Sequence, residues 1–355
     1  DLVTAHLGRG RRVAQLHLGG GTPNHLEATR LERLQAMLGA RFGIETAEAS
    51  AELDPRLCDR AQLEHLRRLG FARLSFGVQD LDPQVQRAIG RVQDSEQIRR
   101  SVEDAREIGF EGVNLDLIYG LPEQTAAGFR RTIEAIVALE PDRVACFGYA
   151  HVPTVRPHQR ALDRFHIPGP QERFALNRIA IEGFTAAGYV WIGLDHFVRP
   201  GDPMAVAAEA RRLHRNFNGY TVMPARHLVA VGMSAIGEVG DTLVQNDGDL
   251  AGWHARIGRG ELATVRGHHL SEEDRRRRAA ILSLMCQLEL PGRLAAGLEA
   301  EWERLARFSE DGLVEQRGDA LVVAPLGRYF LRTLCTVFDT YSYGTGTIGP
   351  MAHAV

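Results

Sequence analysis

From residue 13 to about 194 the chain alternates short runs rich in β-forming residues with longer stretches whose apolar positions recur every three or four residues. That alternation predicts successive βα units and a parallel sheet. Strands are expected at 13–18, 47–53, 73–78, 113–118, 143–149 and 189–194. Helices are expected at 27–38, where Leu31, Leu34 and Leu38 share a face, and over a stretch carrying Leu63, Leu66 and Leu69 that ends at Gly70 as a C-cap. Further helices are expected at 95–108, after a short segment 83–90, at 126–139 and at 171–187. Right-handed crossovers make such a series either a doubly wound sheet or part of a barrel, and periodicity does not choose between them. In both architectures functional residues gather at the carboxyl ends of the strands.

Beyond about residue 260 the texture turns helical, at 271–288 and 292–308, followed by a hairpin signal from Leu313 to Val323 and a last helix at 326–338. This order looks like a small winged-helix module. The helix before the hairpin carries Glu299, Glu301 and Glu303, the wrong sign for phosphate contact, so no nucleic-acid partner is expected. The expected division is 1–255 for the α/β unit, 256–343 for the helical unit and a flexible Gly-rich tail, 344–355.

Composition narrows the chemistry. With 355 residues, 44% hydrophobic and 25% charged, the chain is long enough for one large domain and a smaller one. A formal net charge of -3 gives no broad field for nucleic acid or an anionic membrane, so acidic ligands must meet local arginine clusters. No apolar run is long enough for a bilayer span and the first ten residues lack a signal pattern, so a cytoplasmic location is expected. The chain starts with Asp1 and reaches strand-like sequence at Val13, which predicts that it opens in the middle of a domain. Cys58, Cys146, Cys286 and Cys335 lie far apart, matching neither a disulfide framework nor a close-spaced metal site, and are read as buried thiols. There is no lysine, which excludes a lysine Schiff base and the lysine of a nucleotide phosphate loop.

The first strand ends in Gly19-Gly-Gly-Thr-Pro23. Three glycines let a backbone approach a ligand closely, though the spacing is not the dinucleotide fingerprint. Glu52, Gln79, Asp116 and Ala150 fall at the following strand ends, and Arg91 follows the third strand. A glycine turn with two carboxylates, an amide and a guanidinium suits a zwitterionic amino acid bearing a ribose. Arg91 would clamp the carboxylate, Glu52 or the turn would bind the ammonium, and Gln79 with Asp116 would bind ribose hydroxyls. Taken singly, Glu52 and Asp116 also read as helix caps and Arg91 as a surface ion pair.

Several segments resemble one enzyme family. Gly19-Gly-Gly-Thr-Pro23, Phe76-Gly-Val-Gln-Asp80, Asn114-Leu-Asp-Leu-Ile-Tyr-Gly-Leu-Pro122, Tyr149-Ala-His-Val-Pro153, Gly193-Leu-Asp-His-Phe197, His214-Arg-Asn-Phe-Asn-Gly-Tyr-Thr221 and Gly232-Met-Ser-Ala-Ile-Gly237 look like the oxygen-independent coproporphyrinogen III oxidases. The resemblance implies an incomplete parallel (β/α) barrel of the radical S-adenosylmethionine type with a helical, winged-helix-like C-terminal domain. By the same resemblance, adenosylmethionine contacts fall on Gly20, Gly21, Thr22, Glu52, Gln79, Arg91, Asp116 and Ala150, with Ile236 as an apolar contact. The implied activity is anaerobic oxidative decarboxylation of two propionates of coproporphyrinogen III to vinyl groups, giving protoporphyrinogen IX in haem biosynthesis. A [4Fe-4S] cluster and adenosylmethionine generate the radical, and an electron donor and a terminal acceptor complete the reaction.

In the family the cluster cysteines lie before the glycine turn, upstream of Asp1 here, as does the first barrel strand. The polypeptide as it stands is therefore expected not to hold the cluster or turn over. For the porphyrinogen carboxylates, His151, His196, Arg199, His214 and Arg215 are the candidates. A solvated face is expected for Arg211-Arg212 and surface charge for the run from Arg275 to Arg278. A monomer without a membrane partner is expected. The alternatives within the same branch are a haem-modifying enzyme and a haem-binding chaperone; the chaperone would lack Asp195-His-Phe197 and Arg215-Asn-Phe217. A nicotinamide-dependent dehydrogenase fits the βα pattern but not the glycine spacing.

Overall fold

The computed structural model describes residues 1–45 and 47–343. The tail expected at 344–355 lies outside the described residues. Five strands, β1 (Gln15–Leu18), β2 (Glu48–Leu53), β3 (Phe71–Gln79), β4 (Gly112–Tyr119) and β5 (Arg143–Gly148), lie side by side and parallel in chain order. Side chains alternate across them because successive residues of a strand point to opposite faces. Leu74, Phe76 and Val78 of β3 and Val113, Leu115 and Leu117 of β4 are buried. Between them Ser75, Gly77, Asn114 and Asp116 stay partly open on the other face.

The buried face is covered by five helices, α1 (Ala28–Gly39), α2 (Arg60–Arg68), α3 (Ser95–Ile108), α4 (Ala126–Ala138) and α5 (Pro170–Ala186). Leu63, Leu66, Ile98, Val102, Phe129, Ile133, Ile136, Leu176 and Phe184 from these helices form one core with the strands. Each such side chain contributes roughly 1.5–3 kcal/mol on burial. The helices start where a side chain satisfies a free amide: Asp59 accepts from Gln62 N, Asp94 from Glu96 N and Thr125 from Gly128 N. Gly70 and Gly109, at φ 90 each, turn the chain out of α2 and α3.

The strand expected at 189–194 forms as β6 (Val190–Gly193) but does not follow β5. Leu194 turns left-handed at φ 45, and the chain returns at once as β7 (His196–Val198), which pairs antiparallel with β5 and with β6. The sheet order is therefore β1-β2-β3-β4-β5-β7-β6. The hairpin brings the Asp195-His-Phe197 segment next to β5. The result is an open, mostly parallel sheet with helices on one face and the other face free, a partial barrel.

A hairpin of β8 (His214–Asn216) and β9 (Gly219–Thr221) follows, then a four-stranded antiparallel sheet of β10 (His227–Leu228), β11 (Ile236–Val239), β12 (Thr242–Asn246) and β13 (Thr264–His269). Periodicity does not show this second sheet, because β13 is almost wholly exposed and carries no apolar alternation. The helix α6 (Leu250–Gly258) lies across the division expected after residue 255, and β12 pairs with β13 across it.

The C-terminal core gathers around α7 (Glu272–Gln287), β14 (Glu289–Pro291), α8 (Glu299–Arg307), the hairpin β15 (Val314–Arg317) and β16 (Ala320–Val323), and α9 (Leu331–Thr336). The sheet order β14-β16-β15 gives the winged-helix-like arrangement. The helix expected at 292–308 is interrupted by Gly297 at φ 78, and the last helix begins as a 3-10 turn at Gly327–Phe330. The arginine run on α7 does more than coat the surface. Arg278 grips Glu238 of β11 at 2.6 and 2.7 Å, and Arg277 holds the buried Glu301 of α8 at 3.1 Å.

Asp202 secures the far edge of the sheet. Its side chain is 4% exposed, pairs with Arg143 of β5 through two bonds of 2.8 and 3.0 Å and caps the helix Pro203–Glu209 at Met204 N. Asp202→Ala leaves a half-buried guanidinium unpaired and is expected to lower unfolding free energy by about 3–5 kcal/mol. Asp202→Asn keeps the cap and is expected to lose less. Urea unfolding of both variants checks the order; an Asn variant as stable as the unsubstituted protein contradicts the role of the ion pair, and equal losses in the two variants contradict that of the cap.

Candidate functional site

The free face of the sheet is lined by a row that strand register defines. Gly77 of β3 pairs with Asp116 of β4, Asp116 with Ala145 of β5, and Ala145 with His196 of β7. Glu52 of β2 pairs with Ser75, two residues before Gly77. Asp116 therefore sits inside its strand rather than at its end, with its side chain turned to the free face.

One end of the row is built around the glycine turn. Gly20 and Gly21 adopt φ 73 and 66, open to glycine and strained for other residues. A side chain at Gly19 would stand 2.5 Å from His17 Nε2 and 3.1 Å from Glu52 Cδ. Glu52 accepts from Gly20 N at 3.3 Å and meets His17 Nε2 at 3.1 Å. The bond from His17 holds the Glu52 carboxyl below its ordinary range. Thr22 precedes the 3-10 turn Pro23–His25 and makes no capping bond with its side chain.

Gln79 ends β3 in a left-handed conformation, φ 68. A Cβ at Gly77 would meet Gln79 Nε2 at 2.9 Å and Arg91 Nη2 at 3.2 Å, so two site residues crowd one bare position. Arg91 donates to Gly77 O at 2.8 Å and lies 3.4 Å from the buried Asp54, while its Nε is enclosed without a partner. Asp116 accepts from Ser75 Oγ and Asn114 Nδ2, each at 2.7 Å. Burial nevertheless pushes its carboxyl up to about 6.

The other end is aromatic and cationic. His196 meets Phe147 and Tyr220 edge-on, with ring centroids at 5.9 and 5.4 Å. Its Nδ1 has no partner, and burial with the nearby Arg215 lowers its pKa to about 3, leaving the ring neutral. Arg215 lies 4.7 Å over the Tyr220 ring with Nη1 enclosed and unpartnered. Phe147, 39% exposed, faces the same space. Behind them Asp195 contacts Arg332 at 3.4 Å and gives its carbonyl to Cys146 N. Burial raises the Asp195 carboxyl.

Other expected residues are not brought here. Arg199 lies at the amino end of β5, donating to the carbonyls of Glu140 and Pro141, because β7 runs antiparallel and carries its last residues away from the site. His151 is engaged by Asp163 at 2.8 Å and Tyr149 at 3.3 Å. His214 begins β8 with an exposed side chain. The Ala150 carbonyl is taken by Gln159 at 3.0 Å, and Ile236 belongs to the second sheet, opposite Gln245. The four cysteines are buried and free; burial pushes Cys58 and Cys335 up to about 12 and Cys286 up to about 11. Among the described residues no group of three His, Cys, Asp or Glu side chains is placed to hold a metal.

Sequence reasoning missed His17, Ser75 and Asn114, which orient Glu52 and Asp116. The signal was present: each lies two residues before a named carboxylate or glycine, on the same strand face. It also missed Tyr220, which lies inside a quoted motif.

The description "Radical SAM superfamily" matches residues 3–136. The chain is 39% identical to the oxygen-independent coproporphyrinogen III oxidase of Pseudomonas aeruginosa, over 96% of this chain and 77% of that protein. It is 41% identical to the Escherichia coli enzyme of the same name, over 95% and 76%. The solved structure described as coproporphyrinogen III oxidase from Escherichia coli, a radical SAM enzyme, superposes with a TM-score of 0.91 at 40% identity, covering 96% of this chain and 81% of that one.

The two perturbed groups impose opposite pH dependences on stability. Asp116, held at about 6 against an ordinary 3.8, takes up a proton on folding, so its contribution falls as pH rises from about 3.8 to about 6. His196, held at about 3 against 6.5, resists protonation, so stability is lost as pH falls below about 6.5. Relative to the unsubstituted protein, Asp116→Asn should gain stability as pH rises through 4 to 6 and His196→Gln as it falls, each by up to about 1.4 kcal/mol per pH unit. Denaturant melts across pH 4–7 measure both, and curves parallel to that of the unsubstituted protein contradict the assignments.

Proposed function

The chain belongs to the oxygen-independent coproporphyrinogen III oxidases of the radical S-adenosylmethionine superfamily, and from that membership we propose how its residues divide the work. The reaction is the anaerobic oxidative decarboxylation of two propionates of coproporphyrinogen III to vinyl groups, an oxidoreductase step of haem biosynthesis that uses adenosylmethionine and a [4Fe-4S] cluster. No observation favours the haem-binding or haem-modifying reading.

The described residues fit adenosylmethionine. When bound, it supplies hydrogen abstraction from a propionate β-carbon. The ionised Glu52 and the glycine turn, Gly20 to Thr22, would take its ammonium group, and Arg91, with an enclosed Nε lacking a partner, would take its carboxylate. Asp116 and Gln79 would accept and donate to the ribose hydroxyls, with Ala150 and Ile236 as flanking contacts. Ser75 and Asn114 hold Asp116 in place, and the helix-covered face behind it keeps water from the row. The observation that carries this reading is the convergence of Gln79 and Arg91 on the bare position of Gly77, on the sheet face that also carries Asp116.

The described residues do not fit an iron–sulfur cluster. Their cysteines are separate, buried and protonated, and a cluster needs thiolates close together.

At the other end of the row we assign the porphyrinogen to Phe147, His196, Arg215 and Tyr220. A neutral imidazole and an aromatic wall suit the apolar macrocycle, and the enclosed Arg215 guanidinium suits a propionate. His151, His214 and Arg199 stand as weaker carboxylate candidates, each engaged elsewhere or exposed. No protein acid or nucleophile has to perform the hard step, since position and shielding are what the chain contributes. An electron donor and a terminal acceptor complete the cycle. We take the protein to act as a cytoplasmic monomer without nucleic-acid or membrane partners. No described helix is long and apolar enough to cross a membrane.

The deciding experiment is anaerobic reconstitution of the full-length protein with iron and sulfide, followed by mass analysis of coproporphyrinogen III in the presence of adenosylmethionine. Stepwise loss of two carboxyl groups as carbon dioxide is expected; an intact substrate beside a normal cluster speaks against the assignment. Separately, Gly77→Ala places a methyl group among Gln79, Arg91 and the ligand. It is expected to weaken adenosylmethionine binding at least about tenfold in calorimetry with little change in melting temperature. Undiminished binding removes Gly77 from the site.

A further inference from the structure

Glu52 takes up the ammonium group in the reading above, and a glutamate side chain is flexible, this one being 45% exposed on the open face of the sheet. What aims it comes from β1. His17 and Ser50 are paired across β1 and β2. His17, Ser50 and Glu52 share the free face, because Leu16, Leu18, Ala49, Ala51 and Leu53 turn to the helix-covered side. The imidazole is held at both nitrogens: Nδ1 lies 2.9 Å from Ser50 Oγ and Nε2 lies 3.1 Å from Glu52 Oε1. The second Glu52 oxygen accepts from Gly20 N at 3.3 Å.

These partners fix the tautomer. A carboxylate only accepts, so Nε2 carries the proton and the neutral ring receives the Ser50 hydroxyl at Nδ1. Ser50 Oγ can equally accept from Nδ1–H, so the bond to Glu52 survives a change in the charge of the ring. Gly19 makes room for this bond, since a Cβ there would stand 2.5 Å from His17 Nε2 and 3.1 Å from Glu52 Cδ. The bond is also the largest influence on the Glu52 carboxyl, holding it below its ordinary range against the desolvation that would raise it. Two other carboxylates stand on this face. Glu48 of β2 is engaged by Gln15 and Arg73, and Asp116 of β4 is raised by Glu52 and lowered by His17.

We propose that His17, oriented by Ser50, is a positioning residue that presents Glu52 to the ammonium group of adenosylmethionine and acts on binding through Glu52 alone. The proposal rests on the adenosylmethionine reading above. A carboxylate fixed before the ligand arrives gives up little freedom on binding, so loss of the imidazole is expected to weaken the ligand more than the fold.

The test uses the full-length protein reconstituted anaerobically with iron and sulfide, without reductant so that adenosylmethionine stays intact, and reads affinity by calorimetry. His17→Leu is expected to weaken binding about threefold to tenfold, the scale of one net hydrogen bond. His17→Gln, which keeps a neutral N–H donor, is expected to recover most of the loss. In a Glu52→Gln background, itself weaker, His17→Leu is expected to add nothing further, a coupling that a direct contact with the ligand would not produce. The pH profile is a second readout. Glu52 holds an ammonium group only when ionised, so affinity falls as pH falls through its titration, and without His17 that fall moves to higher pH. Asp116 loses a lowering influence at the same time and moves the same way. Ser50→Ala is expected to weaken binding in the same direction and serves if the Leu variant does not fold. Unchanged affinity and pH profile in the folded variants, or losses that add in the double variant, overturn the proposal and leave the adenosylmethionine reading intact. Glu52→Gln binding as tightly as the unsubstituted protein overturns both.

Discussion

A parallel sheet that does not close leaves one face without a layer to cover it, and this constraint governs the molecule. The covered face is filled by Leu, Val, Ile and Phe from strands and helices alike. The uncovered face cannot be apolar without inviting aggregation, nor crowded without filling the space a ligand needs. It carries Ser75, Gly77, Asn114, Asp116, Ala145 and His196 instead, small or polar at each step. Register then does the rest. A shift of one residue in any pairing would turn Leu115 or Phe76 inward and Asp116 into the core, so the buried side of the sheet enforces the geometry of the open side.

The electrostatics follow from where water is excluded. The helix-side core lowers the local dielectric beneath the row, so Asp116 is raised and His196 is held neutral by the same cause acting on groups of opposite charge. Glu52 escapes because the bond from His17 outweighs its desolvation. The arginines show the complementary pattern. Exposed ones pair with neighbouring carboxylates, as Arg99 does with Glu96 and Glu103, whereas Arg91 and Arg215 keep nitrogens enclosed and unpaired. Donors fixed in a dry place before a ligand arrives lose little on binding it, the arrangement that favours charged ligands over water.

Much of this was legible in the chain. The strand spans and the five covering helices follow from hydrophobic period, since each buried face repeats with the period of its element. The glycine turn, Glu52 and Arg91 were legible as chemistry. What was not legible depends on contacts that period does not encode. The β6–β7 hairpin turns on a single left-handed leucine, Leu194, where propensity favours no turn. The second antiparallel sheet has too little burial to leave an alternation. Arg199 stood beside a family segment, yet an antiparallel strand carries residues four apart to opposite ends, from Asp195 near the site to Arg199 beyond the amino end of β5.

The two ends of the row differ in what holds them. The glycine-turn end is built from β2, β3 and β4 and braced locally, by His17 on Glu52 and by Asp54 on Arg91. The far end draws its order from the C-terminal module. Arg328 bonds the Trp191 carbonyl and lies 4.3 Å over the ring, Arg332 reaches Asp195, and Tyr220 Oη donates to Met285 O at 2.9 Å. These contacts converge on the turn at Leu194 and on the strand that carries Tyr220. A left-handed leucine is sustained only where its surroundings over-determine it, and here those surroundings include side chains of the C-terminal module, Arg328 and Arg332, which contact residues 137 positions earlier in the chain. The winged-helix-like unit is therefore a structural brace for the aromatic and cationic end of the site, and two of its arginines, Arg332 on Asp195 and Arg278 on Glu238, tie it to the rest of the protein.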